Sequence, residues 1–211
     1  MFLGHFAVGL AGKRLTPAVS LAVWFVAVQL LDLLWPVFLL TRLEHVRIAP
    51  VGPGPFLRLD FYHYPITHSL VGALAWGLLF AGGWLLIRRN RYAALLLFFG
   101  VVSHWVLDAI THRPDLPVLP HGPYVGLGLW YLPAVTIVVE AAMFAVGILI
   151  YARAKRPTIA FWALMIVLVA LYVGSLVGPP PPNVTVLAAS ALAGWLLVVW
   201  AWWADRPRGQ V

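Results

Sequence analysis

Apolar positions dominate six runs of the chain, 17–40, 65–87, 92–111, 127–152, 158–178 and 184–203, and short polar segments between them carry the charge. Crossing a bilayer core takes about 20 helical residues at 1.5 Å each, so each run is long enough to span. Ahead of them, 1–15 is apolar up to Lys13-Arg14, at roughly 12 residues too short to cross. It predicts a half-membrane helix with its basic end at the interface and Gly4-His5 deep in its apolar part. The fold class is therefore all-α: a polytopic membrane helical bundle of about six transmembrane helices plus a short N-terminal half-helix. One membrane domain covers 1–211.

The linkers set the expected orientation. Segment 41–65 is the longest and mixes charges with Pro, Gly and aromatics, which predicts an ordered stretch on the membrane surface. Segment 112–127 is the second. With six spans and both termini cytoplasmic, the inner segments hold Lys13, Arg14, Arg88, Arg89, Arg91, Arg153, Lys155, Arg156, Arg206 and Arg208, 10 of the 14 bases. Arg42, Arg47, Arg58 and Arg113 fall outside. This follows the positive-inside rule at each loop. Trp35, Tyr92, Trp130, Trp202 and Trp203, at segment ends, read as interfacial anchors.

Composition agrees: 63% of the 211 residues are hydrophobic and 10% charged, against about 45–50% apolar in a soluble domain. The net charge of +7 lies in clusters between apolar runs, which membrane orientation explains, and no basic aromatic platform points to nucleic acid. With no cysteine, any metal site must be built from His, Asp or Glu. The bases of the N-terminal stretch follow its apolar part, the reverse of a signal peptide's order.

Against that background, ionisable residues inside the runs stand out, because each is costly there and has a function by default. The stretch Ser103–Asp115, SHWVLDAITHRPD, holds His104, Asp108 and His112 at i, i+4 and i+8. One helical face carries all three, and an imidazole and a carboxylate one turn apart are pre-spaced metal ligands. Asp32 lies deep in the first run, and Pro65 and Thr67 start a helix whose first turn holds His68. In the expected orientation Asp32, His68, His104 and Asp108 all fall in the outer half of the bilayer, Asp32 about 12 Å of helix rise from its outer end. Glu140 is the one acidic residue inside the last three runs, and no histidine follows His121. Chemistry is expected in 1–121, with 122–211 mainly scaffold.

His68, His104, Asp108 and Asp32, with His5 an open candidate, form a ligand set for a divalent transition metal: zinc first, with manganese or ferrous iron as alternatives. A catalytic site of this kind keeps about three protein ligands and an open position for water. Asp32 or Glu140 would then serve as general base. Arg113, His112 and His63 are candidates for substrate contact, Arg113 by pinning an anionic phosphate. Arg113 could instead form a rim salt bridge with Asp115, and His63 could serve as a second-rank partner or surface residue. His45 and His121 read as solvated loop residues. The first functional reading is hydrolysis of an ester or phosphoester, with membrane lipid as surroundings and a lipid or lipid-linked molecule as substrate. The others are a proton- or metal-ion-handling transporter using the same cluster, and a non-catalytic scaffold in which the cluster is interhelical glue. A polar path to the inner face would favour transport; a dead-end pocket would favour hydrolysis. The oligomeric state stays open.

The pieces GHFAVGLAGKR, QLLDLLWP, YPITHSL and GVVSHWVLDAIT, in this order over roughly 1–120, resemble the bacterial LexA-regulated, membrane-bound metal-dependent hydrolases. The matching positions are Gly4-His5, Asp32, Thr67-His68-Ser69-Leu70 and Ser103-His104 with Asp108. That family's acidic motif often reads Asp-x-Asp-His-Pro, where this chain has Asp32-Leu33-Leu34-Trp35-Pro36, without the second Asp and the His. Its His-Arg-Gly is His63-Tyr64-Pro65 here. The resemblance implies a metal-dependent hydrolase and adds His5 to the ligands.

Overall fold

The structure, a computed structural model, describes residues 1–49 and 54–206; Arg208, one of the bases assigned to the inner side, lies outside them. Helices form where the apolar runs predict. They are α1 (Leu3–Leu15), α2 (Leu21–Leu40), α3 (Pro65–His68), α4 (Leu70–Arg88), α5 (Arg91–Thr111), α6 (Pro133–Ala154), α7 (Ile159–Val177), α8 (Val184–Leu192) and α9 (Gly194–Ala204). Side-chain caps fix several starts. Asn90 accepts from Ala93 N–H at 3.0 Å, Thr158 from Phe161 N–H at 3.1 Å and Asn183 from Val186 N–H at 2.9 Å, each satisfying a donor the helix leaves open. Taking α8 and α9 together, six helical segments among the described residues are long and apolar enough to cross a membrane.

Two runs predicted as single helices are broken. The run beginning at Pro65 stops at Ser69, which is extended (ψ 154°) and caps α4 through Gly72 N–H at 2.9 Å. The same hydroxyl donates to Pro65 O at 2.6 Å, so one serine closes α3 and opens α4. The last run breaks at Ala193, beside Gly194, a poor helix former.

The packing is inside out relative to a soluble protein. Leu78, Leu79 and Leu86 of α4, Val138 and Leu149 of α6 and Ile166 of α7 point outward, each more than 60% exposed; lipid, which is as apolar as they are, is the matching surround. The centre is occupied by α2, the most enclosed span, and by α1. Though only 13 residues long, α1 is buried along most of its length and packs on α6, α2 and α5. Close approach explains how it fits. A Cβ on Gly12 would stand 2.5 Å from the Trp24 ring, and one on Gly147 2.9 Å from the Ala7 backbone.

The basic end of α1 is fastened. Lys13 Nζ donates to Pro17 O, Val19 O and Asp205 Oδ2 at 2.9, 2.8 and 2.8 Å. Asp205 also accepts from Leu21 N–H at 2.9 Å, Tyr151 Oη–H at 3.2 Å and Lys155 Nζ at 3.0 Å. The C-terminal ends of α1, α6 and α9 therefore meet at one end of the bundle. Burial raises the Asp205 carboxyl, but Lys13, the Leu21 amide and Lys155 outweigh it and hold the group below the usual carboxylate range.

At the other end lie two antiparallel hairpins. Strands β1 (His45–Ile48) and β2 (Leu59–His63) pair His45 with His63 and Arg47 with Asp60, and β3 (Leu116–Pro117) pairs with β4 (Tyr124–Val125). The surface linker predicted for 41–65 is thus an ordered hairpin over its described part. From Lys13 to His5 is about 12 Å of helix rise, so α1 reaches well into a core about 30 Å thick. It places His5 level with α2, α3 and α5.

Candidate metal centre

Four elements bring the ionisable residues to one point. From α2, Asp32 faces His68 Nε2 of α3 at 3.3 Å and His104 Nε2 of α5 at 3.7 Å. Asp108, one turn after His104, sets Oδ2 3.2 Å from His104 Nε2 and 4.0 Å from His68 Nε2. Its other oxygen, Oδ1, is met by His5 Nε2 at 3.1 Å and by the amino group of Met1 at 2.6 Å. The His5 and His104 rings stack with centroids 3.8 Å apart. Ligand atoms of His68, His104 and Asp108 lie within 4.8 Å of one another, as do those of His5, Asp32 and His104. All five metal-ligand candidates from the sequence are thereby together.

The far side of two of the three imidazoles is pinned, while His5 Nδ1 is buried without a partner among the described residues. His104 Nδ1–H donates to Val28 O at 2.8 Å. His68 Nδ1–H donates to Thr67 Oγ1 at 2.7 Å, and the Thr67 hydroxyl donates to Glu44 Oε2 at 2.6 Å. Glu44 Oε1 also accepts from Ile66 and Thr67 N–H at 2.7 and 2.8 Å, which holds the first turn of α3. With Nδ1 engaged, Nε2 is the nitrogen that each of these two rings turns toward the carboxylates, the presentation that a metal-ligating histidine takes. His104 Nε2 is buried and, although 3.2 Å from Asp108, makes no hydrogen bond to it. A nitrogen and an oxygen this close without a direct bond fit a shared cation. Two imidazole nitrogens and two carboxylates also suit the charge and ligand preference of a divalent transition ion.

The two carboxylates differ in access. The Asp108 side chain is 3% exposed and the Asp32 side chain 47%. Asp32 opens into a cavity of about 180 Å³ that His68, Asp108, His112 and Glu140 also line, with aromatic walls from Phe56, Phe61, Trp130 and Tyr172. Trp35, buried at 6% exposed, lines it too. Trp35 and Trp130, expected as interfacial anchors, are site walls instead, whereas Tyr92, Trp202 and Trp203 are exposed on the outer surface.

The remaining candidates separate. Glu140 accepts from Phe2 and Gly4 N–H at 2.8 and 3.3 Å, receiving the open donors at the start of α1. It borders the cavity while anchoring the helix that carries His5. His112 ends α5 and turns from the cluster: Nδ1–H donates to Asp115 Oδ1 at 3.0 Å, and its ring lies 4.2 Å from Trp130. Burial and then Asp115 push the neighbouring Tyr64 phenol above its usual range, so it remains a donor, to Asp115 O at 3.2 Å. Arg113 is engaged by Asp115 at 2.7 Å and Asp60 at 2.5 Å, so two carboxylates already hold the base expected to pin a phosphate. His63 stacks on His45 within the first hairpin and does not line the cavity. His121 is exposed.

Sequence reasoning missed Glu44, the support behind His68; its signal was a lone acid just after the first span. It also missed Tyr172 and Ser175 of α7, which line the cavity from a helix expected to be scaffold. A helical face in an all-apolar run carries no periodic signal that could have singled them out.

No curated protein and no solved structure matches the chain. A family model described as YdjM inner membrane protein matches residues 1–179, a stretch that includes each element of the cluster and its cavity. The chain belongs to the YdjM inner membrane protein family.

Proposed function

We propose that the cluster is a metal centre and that the protein is a membrane-embedded hydrolase acting on an ester or phosphoester. One observation carries the reading. His68 and His104 direct their Nε2 atoms at the carboxylates of Asp32 and Asp108, while Val28 O and the Glu44–Thr67 pair hold the opposite nitrogens. His68, His104 and Asp108 would hold the ion, with Asp32 or His5 completing the set. A bound zinc, manganese or ferrous ion supplies a Lewis acid that polarises an acyl or phosphoryl oxygen and acidifies water to near neutrality. The chain's own groups divide the rest of the work. Asp108, the less exposed of the two carboxylates, orients His5 and His104. Asp32, half open to it, is placed to take a proton from water beside the substrate, as a general base requires. The aromatic walls exclude bulk water and strengthen each charge interaction inside.

Packing supports hydrolysis over transport. By position on their helices, Leu10 of α1 and Phe25 of α2 lie between the cluster and the Lys13–Asp205 end, and both are fully buried. They form an apolar layer where a relay would need polar groups. The lysines gathered at that end support a cytoplasmic position for it by the positive-inside rule, which would place the cluster toward the outer leaflet and both termini inside. Single cysteines introduced at Arg89 and His121 test this in the cysteine-free chain: an impermeant maleimide should label His121→Cys alone in intact cells. The resemblance also carries LexA control of expression, which a rise in transcript after DNA damage tests.

The activity test uses purified protein loaded with zinc or manganese and a panel of water-soluble carboxylic esters and phosphodiesters. Turnover should appear, vanish with chelator, return on metal addition and fall at least 100-fold in Asp32→Asn. A metal-loaded protein that turns over neither class would overturn the hydrolase reading.

A further inference from the structure

A second cavity, of about 220 Å³, lies on the other side of Asp32. Phe2, Asp32 and Trp35 line both cavities, so the two spaces share a wall at the carboxylate proposed as base. Their characters are opposite. The first is walled by aromatics and three carboxylates. The second is an apolar slot between α2 and the broken last span, formed by Phe6, Leu33, Leu197 and Val198. Ala191 and Gly194, on either side of the break at Ala193, line it, and a Cβ on Gly194 would already stand 3.4 Å from Leu33 Cδ2. The slot lies at the level of the spans, where the available apolar chains are lipid tails.

Besides Asp32, an amide side chain interrupts the slot. Gln29 lines it one turn before Asp32, is 6% exposed, and its Oε1 is buried without a hydrogen-bond partner. Leaving an amide oxygen unpaired in an apolar wall costs about 1–3 kcal/mol, which a ligand hydroxyl or, with the amide reversed, an ester carbonyl would recover. Such a group sits where an acyl chain meets its polar linkage. The first cavity adds a charge constraint. Asp32, Asp108 and Glu140 line it, and no lysine or arginine does among the described residues. One divalent ion and the Met1 ammonium, which also lines the cavity and sits 2.6 Å from Asp108 Oδ1, would balance these three carboxylates, so no positive charge is left to pair with an anionic headgroup.

From this we infer that the substrate is a membrane lipid with a neutral or zwitterionic headgroup. Its acyl chain fills the slot, its linkage meets Gln29, and the bond to be broken lies over Asp32. The inference rests on the hydrolase reading and names the substrate class for that site.

The test is photolabelling of the purified full chain in detergent with a phosphatidylethanolamine analogue bearing a diazirine on its acyl chain, mapped by mass spectrometry. Label is expected on Leu33, Leu197 and Val198, displaced at least tenfold by excess phosphatidylethanolamine and much less by phosphatidylglycerol. Ala191→Trp and Gly194→Leu, two independent ways of filling the slot, should each cut that label about tenfold. Zinc content and the background label on outward Leu78 and Val138 should not change. Label confined to outward residues, slot label indifferent to both variants, or preferential displacement by phosphatidylglycerol overturns the inference. The two failures are distinguishable. Turnover of soluble esters without slot labelling removes the lipid assignment and leaves the hydrolase; slot labelling in a protein without metal or turnover removes the hydrolase.

Discussion

Replacing Thr67 with valine keeps the shape of the side chain and removes its hydroxyl. That hydroxyl accepts from His68 Nδ1–H at 2.7 Å and donates to Glu44 Oε2 at 2.6 Å. In the variant His68 Nδ1–H faces a methyl group, and the tautomer and ring orientation that free Nε2 lose their support. Outer hydrogen-bond partners of this kind are worth about 10–100-fold in metal affinity, or about 1.4–2.7 kcal/mol. The fold should lose less than the site. Glu44, 1% exposed, keeps two backbone donors on Oε1 at 2.7 and 2.8 Å, and only Oε2 is orphaned, at about 1–3 kcal/mol. The assay is competition for zinc between the purified protein and a fluorescent chelator, with thermal unfolding alongside. Thr67→Val should bind at least tenfold more weakly and remain folded, whereas Thr67→Ser should stay within about threefold. A valine variant that binds zinc like the parent would show that the Glu44–Thr67–His68 chain is only a helix-start device, and the argument from imidazole orientation would fail.

Three further outcomes follow from the same geometry. Asp32→Asn should keep most of its zinc and lose hydrolysis, while Asp108→Asn, at a side chain 3% exposed, should lose both; zinc content measured beside turnover separates them. Asp205→Ala leaves Lys13, 5% exposed, without its counter-charge, and such a loss in a buried pair costs about 3–5 kcal/mol, read as a lower unfolding temperature in detergent. Because the folded pKa of Asp205 is held below its unfolded value near 3.9, its contribution is full above that value and lost as pH falls through the folded pKa. Asp205→Asn should therefore flatten the acid limb of a stability–pH profile, and an unchanged limb would refute the assignment. Gly147→Val puts a side chain into the Ala7 backbone, only 2.9 Å from the new Cβ; overpacking of this kind costs about 1–3 kcal/mol and should weaken zinc binding by pushing α1, with His5, off the site.

Much of this arrangement was legible because the membrane makes polar residues expensive. Asp32, His68, His104 and Asp108 stood out against apolar neighbours, and helical spacing already placed two of them one turn apart. His5 was legible from the resemblance to a hydrolase family, not from spacing, since no periodicity says how a half-helix folds back; close approaches at Gly12 and Gly147 settle that. Ser69 and Ala193 hid their breaks because a hydropathy run looks the same whether or not its hydrogen-bond ladder is continuous. Arg113 was legible in part, because the rim salt bridge with Asp115, one of its two readings, is formed. Its sequence partner Asp115 was visible, but Asp60 reaches it through the first hairpin, a contact 53 positions away. The walls from α7 and from α8 and α9 were silent, because apolar residues lining a cavity and apolar residues facing lipid are chemically alike.

The most direct test of the metal centre is elemental analysis of the purified protein beside His104→Ala and Asp108→Ala, after equilibration with zinc and removal of loosely bound ions. The account predicts about one transition-metal ion per chain in the parent and a loss in both variants, with each variant still inserted and helical by circular dichroism. A parent that retains no metal, or variants that retain as much as the parent, would contradict it.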